Sequence, residues 1–89
     1  MTLDEIKEYV AEYNPDALVF DDFCDAFIGV SDDGSTHRAV YDYNKMVRSL
    51  VENDKMTEEE AIDYISYNTI RSLPYYGDSA PIVLYPVEQ

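Results

Sequence analysis

Ala26-Phe-Ile-Gly-Val-Ser-Asp-Asp-Gly-Ser-Thr-His-Arg-Ala-Val-Tyr-Asp-Tyr43 reads as a β-hairpin, and this hairpin decides the fold. Residues 26–30 form one strand. Gly29 inside it calls for a bulge or a close packing contact. Ser31 to Ser35 is turn chemistry, with Asp33-Gly34 supplying the reversal. Residues 38–43 return with the period of two, placing Ala39, Tyr41 and Tyr43 on one face and Arg38, Val40 and Asp42 on the other.

Helices are expected on both sides of the hairpin. Upstream, Thr2 with Glu5 is a capping box. Leu3, Ile6, Val10 and Tyr13 then recur at helical spacing, with Glu5, Glu8 and Glu12 opposite. That helix covers about residues 2–13 and ends at Asn14-Pro15. Residues 17–20 are a short apolar run, expected to be a strand. Asp21, Asp22 and Asp25 surround Phe23 and Cys24 in a turn or a single helical turn.

Downstream, Asp42 or Asn44 can cap a second helix with the apolar stripe Met46, Val47, Leu50 and Val51. Thr57 with Glu60 is another capping box, and Glu58, Glu59 and Glu60 sit where the helix dipole favours acids. The third helix should reach about Ser72 and stop at Pro74. Residues 81–87, bounded by prolines, read as a short or edge strand. The expected fold is a single α+β domain over 1–89. A small antiparallel sheet of three or four strands packs against three helices, in the order α-β-β-β-α-α-β.

Charge is the strongest compositional signal. Six Lys and Arg face nineteen Asp and Glu, a formal net charge of −13. Such a chain repels phosphate backbones and anionic lipid surfaces, so no direct nucleic-acid or membrane partner is expected. The lone Cys24 rules out an intramolecular disulfide and suits a reducing, cytoplasmic setting. No segment has the length of a membrane span, and the first residues lack the pattern of a signal peptide.

The carboxylates do not have the spacing of an EF-hand, and Asp32-Asp33-Gly34 is explained by the turn. No metal or other cofactor is expected. Cys24 and His37 could formally pair, but Cys24 lies beside Asp25, which does not activate a nucleophile. Gly29, Gly34 and Gly77 are isolated, so no phosphate loop exists. No catalytic residues are assigned, and the chain reads as a non-enzyme.

The third helix carries the more telling pattern. Ile62, Ile65, Thr69 and Leu73, flanked by Ala61 and Ile70, form its core stripe. Tyr64 and Tyr67 project from the opposite face near Glu60, Asp63 and Arg71, with Tyr75 and Tyr76 close behind. Asn68 on the flank should satisfy a loop backbone. Tyrosine is a frequent interface anchor. The candidate partner-binding residues are therefore Glu60, Asp63, Tyr64 and Tyr67, with Asp21, Asp22, Asp25, Asp32 and Asp33 as a second acidic patch.

Three segments together carry a family resemblance: Phe20-Asp-Asp-Phe-Cys-Asp-Ala-Phe-Ile-Gly-Val30, Ala39-Val-Tyr-Asp-Tyr-Asn-Lys45 and Met56-Thr-Glu-Glu-Glu-Ala-Ile-Asp-Tyr-Ile-Ser-Tyr-Asn68. In order and spacing they resemble a group of small acidic proteins encoded by bacteriophages and prophages, over residues 17–85. The resemblance implies a phage-derived protein acting in the cytoplasm of a bacterial host. Small acidic phage proteins often inhibit host-defence enzymes, including CRISPR effectors and restriction systems, by occupying nucleic-acid-binding surfaces. The implied partner is a host protein with a basic surface. The alternative expectation is a homo-oligomeric accessory module, a homodimer for instance, that self-associates through the edge near Ile82 to Tyr85 or through the tyrosine face. A small hydrolase using carboxylate or metal chemistry is the third reading.

Overall fold

The computed structural model describes residues 1–87. The fold is α+β: three α-helices and a three-stranded mixed sheet. Helix α1 (Leu3–Tyr13) opens the chain. A single 3-10 turn (Cys24–Ala26) leads into β1 (Phe27–Asp32) and β2 (His37–Asp42). Then follow α2 (Tyr43–Asn53), α3 (Glu58–Tyr64), a π-turn (Ile65–Thr69), a 3-10 stretch (Ile70–Ser79) and β3 (Ile82–Leu84).

The local signals act as their chemistry demands. Thr2 and Glu5 exchange both bonds of a capping box, and so do Thr57 and Glu60. The hairpin is antiparallel, pairing Val30 with Ala39 and Asp32 with His37. At its turn Asp32 accepts from the Gly34 amide, and Asp33 accepts from the Ser35 and Thr36 amides. Between Phe27 and Gly29 the register slips, so Ile28 is the extra residue of a bulge. Gly29 has φ 152°, which side-chain-bearing residues rarely adopt. Its missing Cβ would meet nothing within 4 Å, so the need is conformational rather than steric.

One core joins the layers. Ala39 and Tyr41 point from β2 toward Ile6 and Val10 of α1, Met46 and Leu50 of α2, and Ala61 and Ile65 of the third helical segment. Tyr41 is fully buried within an aromatic cage. The Phe20 ring lies 4.6 Å away and the Phe27 ring 5.6 Å away, centroid to centroid.

Four expectations change. First, residues 17–20 are extended but join no sheet. The Leu18 amide donates to the Ser79 carbonyl and the Phe20 amide to the Tyr41 hydroxyl. These partners satisfy the two amides without a ladder. Second, Tyr43 begins α2 instead of ending β2, because Asp42 accepts from the Lys45 amide and caps the helix. Third, the final strand spans only three residues and pairs with β2 in parallel, Val40 opposite Ile82 and Asp42 opposite Leu84. The whole stretch from α2 to Ser79 is one long crossover, the kind of connection a parallel pair requires. Fourth, regular α-geometry ends at Tyr64 rather than near Ser72. Pro74 falls inside the 3-10 stretch and does not terminate the helical path. The core stripe of this segment is Ala61, Ile65 and Thr69, while Ile62 is 39% exposed at its edge.

Asn14 ties the end of α1 to the hairpin. Its Nδ2 donates to the His37 carbonyl at 2.9 Å and to the Thr36 hydroxyl at 3.2 Å, and its Oδ1 accepts from the Asp16 amide at 3.0 Å. Asn14→Ala strips all three from a half-buried position. A loss of about 1–3 kcal/mol in unfolding free energy is expected, measured by urea denaturation. An unchanged midpoint would show that the helix and hairpin hold together without this side chain.

Candidate functional site

A groove of about 570 Å³ runs between the extended segment 18–22 and the irregular end of the third helical path. Leu18, Val19, Phe20 and Pro81 give it apolar walls. Asp21 and Asp22 form an acidic side, and Tyr64 and Tyr76 contribute aromatic rings.

Irregular backbone builds both walls. In the helical wall the Ile70 amide reaches back to the Ile65 carbonyl, the wide turn of a π-helix. Such turns leave carbonyls short of partners, and side chains fill the deficit. Asn68 Nδ2 donates to the Tyr64 carbonyl at 3.1 Å. The Ser72 hydroxyl donates to the Thr69 carbonyl at 2.8 Å and lies 3.3 Å from that of Asn68. The expectation for Asn68 is thus corrected in its target: it satisfies helical rather than loop backbone. Just beyond the opposite wall, buried Phe23 follows Asp22 with φ 65°, a left-handed conformation uncommon for a large side chain.

The electrostatics follow from this packing. Partial burial pushes the Asp22 carboxyl above its ordinary value, and the charges of Asp21 and Asp54 add to the rise. No basic side chain pairs with Asp22 among the described residues. The groove therefore holds a carboxylate that the fold leaves without a counter-charge.

Of the residues expected to bind a partner, the structure brings Asp21, Asp22 and Tyr64 together in this groove. Tyr67 is 66% exposed and does not line it. Glu60 is engaged in its capping box, which holds its carboxyl below the usual range through bonds from Thr57. Asp63 is exposed on α3. Asp25 borders a shallow depression of about 210 Å³ with Lys45 and Arg48. Asp32 and Asp33 order the hairpin turn, and two amide bonds hold the Asp33 carboxyl below its ordinary value. Asp32 also faces His37 at 3.5 Å. The presumed second acidic patch is therefore three separate features.

Sequence reasoning left Tyr76, Ser72 and the apolar wall out of the site. A signal was present: Tyr64, Asn68, Ser72 and Tyr76 are spaced by four, the step that aligns side chains along a helical path. The groove's other wall had no comparable signal, since residues 17–20 read as a strand.

Among the described residues no group of three His, Cys, Asp or Glu side chains is placed to hold a metal ion. No helix among them is long and apolar enough to cross a membrane. No family model, curated protein or solved structure matches the chain.

Proposed function

We propose that the protein is a non-enzymatic acidic module that binds the basic, nucleic-acid-contacting surface of another protein. Following the resemblance in its three segments, we assign it as a phage-encoded inhibitor of a bacterial defence nuclease, of the CRISPR or restriction kind, working in the host cytoplasm. One observation carries the reading. With nineteen carboxylates in the chain, the one acid–base pair among the described residues is Asp32 with His37. Glu5, Asp42 and Glu60 cap helices and Asp33 orders the hairpin turn, but among the described residues no acid other than Asp32 forms an ion pair inside the fold that would compete with positive charge from outside. Exposed Tyr64, Tyr67, Tyr75 and Tyr76 lie along the same helical path and supply anchors with little entropy to lose. Opposite charge would speed encounter, and the aromatic contacts would slow release.

The test is affinity capture from bacterial lysate at low and high salt, with partners identified by mass spectrometry. A nuclease or nucleic-acid-binding complex should be retained at low salt and lost as ionic strength screens the contact. Its binding to purified protein should then slow in on-rate as salt rises. Retention indifferent to salt would defeat the proposal.

A second reading has its own observation. β3 is an edge strand, beside an apolar groove of about 470 Å³ lined in part by Ile70, Leu73, Pro74, Ile82 and Tyr85. A second copy could cover that edge. Light scattering coupled to gel filtration separates the two readings: a monomer at every concentration removes self-association.

A further inference from the structure

The groove between segment 18–22 and the π-turn has a chemical bias that narrows its occupant. Its walls of Leu18, Phe20 and Pro81 suit an aliphatic stem. The polar residues lining that space include strong acceptors and no cation. Asp21 and Asp22 bring carboxylates. Asn68 has one of its two Nδ2 protons on the Tyr64 carbonyl and its Oδ1 open to accept, and Ser72 has its hydroxyl proton directed at the Thr69 carbonyl. Aromatic rings from Tyr64 and Tyr76 border the same space. A ligand matching this set is cationic, planar at its tip, rich in donors, devoid of acceptors and carried on an apolar stem. Arginine meets every condition, with five donors in a fixed fork and a guanidinium that stacks on aromatic faces. Lysine meets only the charge and the stem.

We propose that this groove is an arginine-binding site, receiving the side chain of an arginine presented by the basic protein partner, with Asp22 as counter-charge and Tyr64 and Tyr76 as stacking surfaces. The assignment rests on the proposed binding of a basic protein and names the side chain that the groove selects. It predicts that the groove, rather than the outer faces of α1 and α3, discriminates between basic surfaces of equal charge. Those outer faces attract any cation, whereas a bounded groove selects by shape.

The test uses the full chain and three blocked tripeptides, Gly-Arg-Gly, Gly-Lys-Gly and Gly-citrulline-Gly, followed by backbone amide NMR shifts. The arginine peptide should shift residues 18–22 and 68–72, with the lysine peptide weaker and the citrulline peptide without effect. Asp22→Asn and Tyr64→Ala should each weaken arginine binding about tenfold. Tyr76→Ala provides an independent check should Tyr64→Ala perturb folding. Equal binding of citrulline or lysine would overturn the assignment. So would shifts spread over Asp4 to Glu12 and Glu58 to Asp63 in place of the groove. No host protein is present in this experiment, so its failure removes the groove assignment alone. Failure of salt-dependent capture, with arginine binding intact, removes the functional reading and the protein source of the arginine and leaves the groove's selectivity standing.

Discussion

Replacing Tyr41 by alanine is expected to cost about 3–5 kcal/mol, a large share of the 5–15 kcal/mol that holds a domain of this size folded. The side chain is 0% exposed and sits where β2, the extended segment and the 3-10 turn meet. Its removal takes away the ring on which Phe20 and Phe27 pack. It also takes away the hydroxyl that accepts the Phe20 amide at 3.1 Å. Tyr41→Phe separates the two contributions. It keeps the ring and leaves the amide without its acceptor, for an expected cost of about 1–3 kcal/mol. Because segment 18–22 is not part of the sheet, this bond and that of the Leu18 amide to Ser79 hold it where a strand ladder would elsewhere. The phenylalanine variant should therefore show its fastest amide exchange at residues 18–22. Uniform exchange across the chain would refute that local role.

Alkaline titration gives Tyr41 a second signature. Burial pushes its phenol up to about 12, against the opposing effect of the Phe20 amide bond and with the help of nearby Cys24, Asp22 and Asp21. The folded state keeps the proton where the unfolded chain gives it up. The stability tied to this group is whole below about pH 10 and declines as pH rises toward about 12, by at most about 3 kcal/mol. Urea midpoints followed by circular dichroism should fall in that window for the wild type. In Tyr41→Phe the pH-dependent component should be smaller, although the variant begins from lower stability. Identical alkaline profiles, after allowance for the starting point, would exclude Tyr41 as the group responsible.

The second large effect is expected at Asp21 and Asp22, and stability and binding should move in opposite directions. The folded protein disfavours the charged form of Asp22 through partial burial first and the neighbouring acids next. Asp22→Asn should therefore stabilise the fold at neutral pH. The gain should shrink as pH falls through the carboxyl's raised range to below its ordinary one, where folded and unfolded chains alike hold the proton. Thermal melts between pH 3 and pH 7, on the order of the carboxylate range, check this sign. The double reversal Asp21→Lys with Asp22→Lys turns the repulsion from Asp54 into attraction and puts positive charge at the groove. It should keep the fold and slow association with a basic partner by about tenfold or more at low salt. A side chain that raises stability when removed yet is needed for binding behaves as a site residue. Loss of binding accompanied by loss of the fold would mark Asp22 as structural instead.

Elements that depend on neighbours along the chain are legible in the residues alone. Thr2 with Glu5 and Thr57 with Glu60 start helices because each capping bond spans three residues. Asp33-Gly34 reverses the hairpin, and the alternation of Ala39 and Tyr41 selects the buried face of β2. The α+β class and the high density of acid follow from the same local reading. Three other matters depend on contacts between distant parts of the chain. Residues 17–20 could read as a strand because apolar pattern does not say who satisfies the backbone; Ser79 and the Tyr41 hydroxyl do so, from 61 and 21 positions away in sequence. β3 runs parallel because the helical path returns to the sheet as a crossover, a fact about direction that composition does not encode. The groove exists because a π-turn and an unpaired extended segment face one another, bringing Asp21 and Asp22 to Tyr64 and Tyr76. Its chemistry was written in residues more than forty positions apart, and packing alone made them neighbours.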